Sequence, residues 1–267
     1  MLNIEANFLI FAASAYFAAM IAGFLFIAFK KAMLDRSAIL FLVVGLILHT
    51  ISLGARISAS GRLPFANLYE SMTSFAWGIA LIILIVNYIY NVKAAATAAA
   101  PIAFLAALYA STLNKAIEPL MPALQSNWLL AHVGVAIVAY GIFAVSFGTA
   151  VLYLVKDKYK ARWLPAKEKL DELTYSLIAF AFPFMILVII TGAVWAEQAW
   201  GTYWSWDPKE TWSLITTLIY LGYLHARLVM GWQGKIAAWF AVIGFLAVIF
   251  TYLGVSFLFS GLHSYTQ

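Results

Sequence analysis

Long apolar stretches separated by short polar connections set the pattern of this chain. A helix that crosses a bilayer needs about 20 mostly apolar residues. Eight stretches meet this requirement, and each is predicted to form one membrane helix: 7–29, 37–54, 71–91, 94–111, 129–155, 173–196, 211–231 and 235–258. The pattern therefore predicts an all-α integral membrane protein, a bundle of about eight transmembrane helices that forms a single polytopic domain over residues 1–267.

The composition agrees with a membrane protein and excludes several chemistries. Hydrophobic residues make up 65% of the chain and charged residues 10%, which is more apolar surface than a soluble core can absorb. The sequence has no cysteine, which excludes a disulfide framework, a thiolate metal site and a thiol nucleophile. The net charge of +5 comes from basic residues that punctuate the apolar segments, so we expect no binding of nucleic acid.

The basic residues alternate between the two sides of the predicted bundle. Twelve fall on one side: Lys30, Lys31, Arg36, Lys93, Lys156, Lys158, Lys160, Arg162, Lys167, Lys169, Arg227 and Lys235. Four fall on the other: Arg56, Arg62, Lys115 and Lys209. Because positively charged connections stay on the cytoplasmic side, both termini and the connection at about 197–212 are predicted to lie outside.

This outer connection contains the run WGTYWSWDPKETW of residues 200–212, which is a concentrated aromatic cluster. Interfacial belts also enrich tryptophan and tyrosine, but they scatter one or two such residues over each helix end. Here four of the ten tryptophans lie within thirteen residues. We interpret the run as a shelf for a large flat apolar ligand, with Trp200, Trp204 and Trp206 facing that ligand.

The same run contains the start of a helix. Asp207, Pro208 and Glu210 occupy the N-cap and the first and third helical positions, which is the pattern of a capping box. We therefore expect Asp207 and Glu210 to fix the angle of the loop. We include Asp207 among the residues of the ligand-binding site because it supports the loop. Direct contact between Asp207 and the ligand is the less favoured interpretation.

Two of the four histidines fall on the same side as the tryptophan run. His132 lies at the outer start of the fifth segment, and His263 lies just beyond the eighth. Two neutral imidazoles can supply both axial ligands of a haem iron, and tryptophans can cover the ring. The alternative is that each histidine separately caps a helix or reaches the membrane interface.

The other two histidines fall within predicted membrane helices. His225 follows the predicted helix cap by 18 residues, which places it about 27 Å away, near the inner edge of the membrane. That depth suits an entry site for a ligand made inside the cell. The second ligand there could come from His49 or from another subunit, and the difference in depth argues against His49. A packed, hydrogen-bonded His49 is the alternative to any functional role.

Five segments together resemble the CcsA/ResC family of the system II pathway of cytochrome c biogenesis. The run WGTYWSWDPKETW is similar to the tryptophan-rich WWD signature of haem-handling proteins. The other segments are GRLPFANLYESM at 61–72, SNWLLAHVGVAIVAYG at 126–141, YLHAR at 223–227 and GLHSY at 261–265. The resemblance therefore runs from residue 61 to the C-terminus.

The resemblance implies roles for three histidines. The outer histidines of the family bind haem iron, so His132 and His263 are the expected axial ligands and catalytic residues. The transmembrane histidine of the family corresponds to His225, whose partner histidine is expected on a CcsB/ResB-type protein.

The resemblance also implies the reaction and its location. A holocytochrome c synthase-type lyase, acting with its CcsB/ResB partner, would take haem b from the inner side and hold it at the outer site. It would present the haem to a CXXCH segment of apocytochrome c. The expected location is the cell inner (plasma) membrane, with the WWD loop facing the periplasm or exterior, or the thylakoid lumen of a plastid.

Three other classes of protein stay in view. A CcmC- or CcmF-type haem protein also has a WWD run, although the segments at 61–72 and 223–227 favour CcsA. A membrane cytochrome b for electron transfer would stack histidine pairs at two depths, and this chain offers one clear outer pair. A small-solute transporter would show broken helices and polar residues at the membrane midplane, which are few here.

Overall fold

The computed structural model describes residues 2–92, 95–161 and 164–262, without the side chains of residues 2, 3 and 95–97. Within that part of the chain the backbone forms helices joined by short connections, and no strand occurs. The predicted all-α class and the predicted number of about eight long helices are confirmed.

The long helices are α1 Leu2–Phe29, α2 Ala32–Ser60, α3 Leu68–Tyr90, α4 Ala95–Thr112, α5 Asn127–Tyr159, α6 Lys167–Trp200, α7 Pro208–Leu228 and α8 Lys235–Leu258. A 3₁₀ turn at Pro122–Leu124 precedes α5, and α8 includes a π-helical turn at Phe250–Gly254. Most helices extend beyond the predicted apolar segments, because hydropathy detects the part inside the hydrocarbon while the helix continues into the polar interface.

Within the described residues, six helices are long and apolar enough to cross a membrane, namely α1, α2, α3, α5, α6 and α8. The apolar part of α4 is shorter, at Ala98–Thr112. In α7, hydroxyl-bearing side chains lower the hydropathy, and several of them are buried inside the bundle: Thr216, Thr217, Tyr220 and Tyr223. The chain is therefore a multi-pass membrane protein in which α7 carries a polar, inward-facing surface.

Helix α5 lies at the centre of the packing. It contacts α3, α4, α6 and α8, while α1 packs against α2 and α4, and α7 packs against α6 and α8. Successive helices are antiparallel, so the α2–α3, α4–α5 and α6–α7 connections meet the end of α8 at one end of the bundle. We call this the tryptophan end, because the α6–α7 connection contains Tyr203, Trp204 and Trp206.

A buried ion network fixes the tryptophan end of the first helices. Glu70 accepts hydrogen bonds from Arg56 at 2.8 Å and from Arg62 at 2.6 Å. Arg56 also lies 3.5 Å from Glu5 and donates to the carbonyl of Lys115 at 2.7 Å. Two carboxylates match two guanidinium groups here, and buried charges require such pairing. The network ties α1, α2 and α3 to the α4–α5 connection and holds the segment 61–67 against the bundle.

Candidate functional site

A cavity opens at the tryptophan end between α3, α5, α6, α7 and α8. Its empty volume is about 1170 Å³, including the part that is open to the surroundings. Apolar and aromatic side chains form most of its wall, among them Phe65, Phe75, Leu129, Tyr140, Trp204 and Tyr252. Pockets that bind organic ligands are lined in this way, with a few polar groups that fix the orientation. The cavity suits a large, mostly apolar ligand.

His132 lines this cavity from the first turns of α5. Its Nδ1 lies 2.9 Å from the carbonyl oxygen of Val188 on α6. Because a carbonyl oxygen only accepts hydrogen bonds, Nδ1 carries the proton and donates it. The accepting lone pair of the neutral ring is therefore on Nε2. Metal-binding histidines are held in this way by a hydrogen bond from their other ring nitrogen.

Gly192 and Trp195 on α6 form a slot that fixes the plane of the His132 ring. The ring stacks on Trp195 with centroids 6.1 Å apart and an angle of 21° between the planes. On the same helix a methyl group added at Gly192 would come within 2.9 Å of both Cε1 and Nδ1 of His132. Trp195 is itself held, since its indole nitrogen donates to the carbonyl of Ala123 at 2.8 Å. Sequence reasoning missed Gly192 and Trp195; a glycine one turn before a tryptophan in an apolar helix was the available signal.

The three predicted shelf tryptophans have different surroundings. Trp204 lines the cavity together with Tyr203. Trp206 is 67% exposed and meets Trp204 edge to face, with centroids 5.7 Å apart. Trp200 packs edge to face on Trp195 at 5.0 Å, within a small cluster that includes Leu124 and Leu129. Of the three, the structure brings only Trp204 into the wall of the cavity, while Trp200 contacts Trp195, which stacks on His132.

The predicted capping box at the start of α7 is confirmed. Asp207 is the N-cap, and its Oδ1 accepts a hydrogen bond from the backbone N–H of Lys209 at 2.9 Å. Glu210 in turn accepts from the backbone N–H of Asp207 at 3.2 Å and from that of Ser205 at 2.8 Å. These bonds fix the path of the loop from Tyr203 to Asp207.

Asp207 has a second connection that sequence reasoning missed. Its Oδ2 accepts a hydrogen bond from the backbone N–H of Leu262 at 2.7 Å, which joins the loop to the segment after α8. Gly261 lies so close to Asp207 that an added side chain would collide with the carboxylate. Leu262 directly precedes His263, which lies outside the described residues. One carboxylate therefore anchors both the tryptophan loop and the backbone that leads to His263.

Two charged side chains line the cavity from the first turn of α7, ahead of the predicted span 211–231. Glu210 is occupied by the loop hydrogen bonds. Lys209 donates to the hydroxyl of Ser256 at 3.1 Å. Burial lowers the pKa of Lys209 to about 8, an effect that the nearby charge of Asp207 partly opposes.

The remaining histidines have contrasting environments. His225 is exposed on α7, near the end opposite the tryptophan end. His49 is completely buried between α1 and α2, with its Nδ1 3.2 Å from the hydroxyl of Tyr16. A ring enclosed in this way cannot reach an iron bound at the exposed face of α7. The structure therefore places His49 in a packed, hydrogen-bonded environment and separates it from His225.

The fold and the cavity together define a polytopic helical membrane protein with an oriented histidine in an aromatic cavity. Residues 65–263 match the family described as cytochrome C assembly protein. The cytochrome c biogenesis protein CcsA of Guillardia theta is 40% identical over 251 residues, which cover 84% of this chain and 83% of that protein. CcsA of Chlamydomonas reinhardtii is 42% identical over 231 residues, which cover 82% of this chain and 65% of that protein. CcsA of Synechococcus elongatus is 38% identical over 266 residues, which cover 80% and 82%.

The chain belongs to the CcsA family of cytochrome c biogenesis proteins, as the resemblance of its motifs predicts. Its fold is also similar to the solved structure of the cytochrome c heme lyase CcmF, with a TM-score of 0.74 over 94% of this chain and 17% identity. This chain spans 46% of the length of CcmF, and at that identity the similarity concerns the fold alone.

Proposed function

We propose that the cavity at the tryptophan end holds haem b and presents it for covalent attachment to the CXXCH segment of apocytochrome c. The observation that carries the proposal is the orientation of His132. Its ring enters a large aromatic cavity, and the bond from Nδ1 to Val188 leaves Nε2 as the iron-binding nitrogen. A histidine that only capped a helix or reached the interface would not need a stacked tryptophan and a glycine slot.

The residues present fit such a ligand. Bound haem would supply an iron for axial ligation and two vinyl groups, to each of which a thiol adds by forming a C–S bond and placing its hydrogen on the neighbouring carbon. The chain supplies binding and orientation. Trp204 and Tyr203 offer aromatic surface, and His132 offers one axial ligand.

His263 is the proposed second axial ligand. Its position along the chain, one residue after Leu262, supports this role, because Asp207 holds Leu262 beside the start of the tryptophan loop. A histidine from the CXXCH segment could then replace one of the two ligands while the other keeps the haem in place. Asp207 would thus contribute to the site by positioning, without contact with the iron.

The proposed entry site lies at the other end of the bundle. The exposed side chain of His225 supports a ligand shared with a CcsB/ResB-type partner, since α7 presents it away from the rest of this chain. The excess of basic residues at that end supports an inner-side assignment, with both termini and the WWD loop outside the inner membrane. Haem would enter near His225 and be transferred to the cavity at the tryptophan end.

The test is haem binding and attachment by variants of the two outer histidines. His132→Ala and His263→Ala should each insert into the membrane normally but lose attachment to an apocytochrome c reporter that is expressed with a ResB-type partner. Added imidazole should partly restore function by replacing the lost ligand. Full attachment by both variants would show that the bis-histidine site is wrong. A cytochrome b or a transporter would give no covalent product even from the wild type.

A further inference from the structure

Lys209 differs from the other basic side chains at the tryptophan end. Among the described residues that line the cavity, it is the single lysine or arginine. Arg56 and Arg62, at the same end, are both ion-paired with Glu70. Lys209 has no ion pair within the described part of the chain, and its ammonium group donates a hydrogen bond to the hydroxyl of Ser256. An ammonium group has three N–H donors, so its capacity exceeds that one bond.

The nearby carboxylates are committed to the backbone. Glu210 accepts from the N–H groups of Ser205 and Asp207. Asp207 accepts from the N–H groups of Lys209 and Leu262. These bonds hold the loop and the segment after α8, so neither carboxylate can turn towards the ammonium group without releasing them. Asp207 therefore acts on Lys209 only as a nearby charge and forms no salt bridge with it, so a direct salt bridge with this cation would have to come from a ligand.

A cation in partly apolar surroundings is costly unless it is paired. The lowered pKa of Lys209 has the same physical cause, because burial disfavours the charged form. A carboxylate bound beside Lys209 would replace the lost hydration and favour the protonated form of the side chain. Lysine binds anions as a compact point charge and needs no exact bidentate geometry.

We propose that Lys209 binds a carboxylate of the ligand in this cavity, namely a haem propionate, an inference that rests on the proposed function. The two propionates occupy one edge of haem and the vinyl groups lie away from them. A propionate held by Lys209 would therefore fix the rotation of the ring about the iron–histidine axis. The wall opposite Lys209 would receive the vinyl edge, so this one contact would determine where the thiols must arrive.

The test compares haem with haem dimethyl ester, in which both carboxylates are neutral. The purified wild-type chain should bind haem about tenfold more tightly than the ester, which is the effect expected of one charge-assisted hydrogen bond. Lys209→Met should reduce the affinity for haem to that for the ester and leave ester binding unchanged. Lys209→Arg should keep the preference for haem. Lys209→Gln keeps a polar side chain of similar length and should behave like Lys209→Met, which covers the case in which the methionine variant folds poorly.

Lys115 is the matched control, because it is a second lysine at the same end that does not line the cavity. Lys115→Met should keep the full preference for haem. Equal affinity of the wild type for haem and ester, or equal weakening of both ligands by Lys209→Met and Lys209→Gln, would overturn this inference alone. Absence of binding of either porphyrin to the wild type would overturn the proposed function together with it.

Discussion

His132 and His225 show two ways in which a histidine can be presented near a membrane surface. His132 is oriented by Val188, stacked on Trp195 and placed in a cavity that this chain forms by itself. His225 is exposed, and its neighbours Leu221 and Leu228 on α7 are 47% and 68% exposed. The first arrangement is a cavity that one chain builds, whereas the second is a single exposed histidine that would need a further ligand from elsewhere to hold an iron. The difference implies that ligand binding at the two ends should depend differently on a partner.

The largest expected effect comes from removing the histidine at the exposed end. His225→Ala should lower the haem content of both proposed sites in protein isolated from cells, because haem can no longer be loaded from the inner side. Haem added to the purified variant should restore binding at the tryptophan end, since that cavity is complete without His225. The measurement is haem content and the low-spin absorption spectrum before and after the addition.

A ResB-type partner provides the control for that comparison. The wild-type chain alone should show little low-spin signal from the inner site, and the signal should increase when the partner is present. In the presence of the partner, His132→Ala should still retain inner-site haem. An inner-site signal of equal strength with and without the partner would mean that this chain supplies both ligands.

Gly192→Ala tests whether the slot formed by Gly192 and Trp195 holds the His132 ring in the orientation that binds haem. The added methyl group would lie 2.9 Å from two atoms of the imidazole ring, so the ring or α6 must shift. Such overpacking costs about 1–3 kcal/mol, which corresponds to a loss of haem affinity of about 5-fold to 150-fold if the cost falls on the orientation of His132 that binds haem. Gly134→Ala is the control on α5, because its added methyl group would meet no atom within 4 Å. Haem titration of both variants gives the comparison, and equal affinities would contradict the slot.

Asp207 gives a third test, because its two oxygens have separate roles. Asparagine keeps one acceptor and replaces the other with a donor, so Asp207→Asn can cap α7 or hold Leu262 but cannot do both. We expect Asp207→Asn to increase the high-spin fraction of bound haem, because it weakens ligation by His263. Asp207→Ala should show the same spectral change and should also lower the free energy of unfolding by about 1 kcal/mol, because the cap of α7 is lost. Gly261→Ala should reproduce the spectral change of Asp207→Asn.

Ser126→Ala is the matched control for Asp207. Ser126 caps α5 at the same end of the bundle, where its hydroxyl accepts a hydrogen bond from the backbone N–H of Trp128 and donates one to Oε1 of Gln198. It should lower stability without changing the spin state. If Asp207→Asn kept a wild-type spectrum, Asp207 would act as a helix cap alone.

Asp207 also illustrates how much of this molecule could be predicted from its sequence. The helices follow from apolar runs of sufficient length, and the capping box follows from residues three positions apart, because both are local. The bond from Asp207 to Leu262 joins residues 55 positions apart, and the slot of His132 depends on α6. No local pattern specifies those contacts; they arise from the way the helices pack.

The tryptophan run shows the same limit at a finer scale. Its composition correctly indicates an aromatic cluster, but composition does not determine the direction of each ring. Trp206 has a φ of 60°, in the left-handed region that non-glycine residues seldom adopt. That local conformation accompanies the outward orientation of Trp206, while Trp204 faces the cavity.

The pH dependence of ligand preference should be a smaller effect. Lys209 can pair with a propionate only while it is protonated, and the pKa of its side chain is lowered by burial to about 8. The preference of the wild type for haem over its dimethyl ester should therefore be complete at lower pH and decline as the pH rises above about 8. Propionate binding favours the protonated form and moves the decline to higher pH. Lys209→Arg should show no decline, because arginine stays charged. The charged groups beside Lys209 are Asp207 and Glu210. Any effect of their titration on the cavity should change the affinity for the ester as well, so measuring ester affinity over the same pH range is the control.

The smallest effect on haem is expected at His49. Its ring is enclosed between α1 and α2 and hydrogen-bonded to Tyr16, whereas the ring of His132 lines an open cavity. His49→Ala should lower the thermal stability of the purified chain, since it leaves a cavity and removes the partner of a buried hydroxyl. Tyr16→Phe removes the hydrogen bond while keeping the ring, so it should cost less stability. Both variants should keep the wild-type spectrum at the inner site, with and without the partner. Loss of a low-spin inner haem in His49→Ala but not in Tyr16→Phe would identify His49 as an iron ligand and remove the need for a partner's histidine.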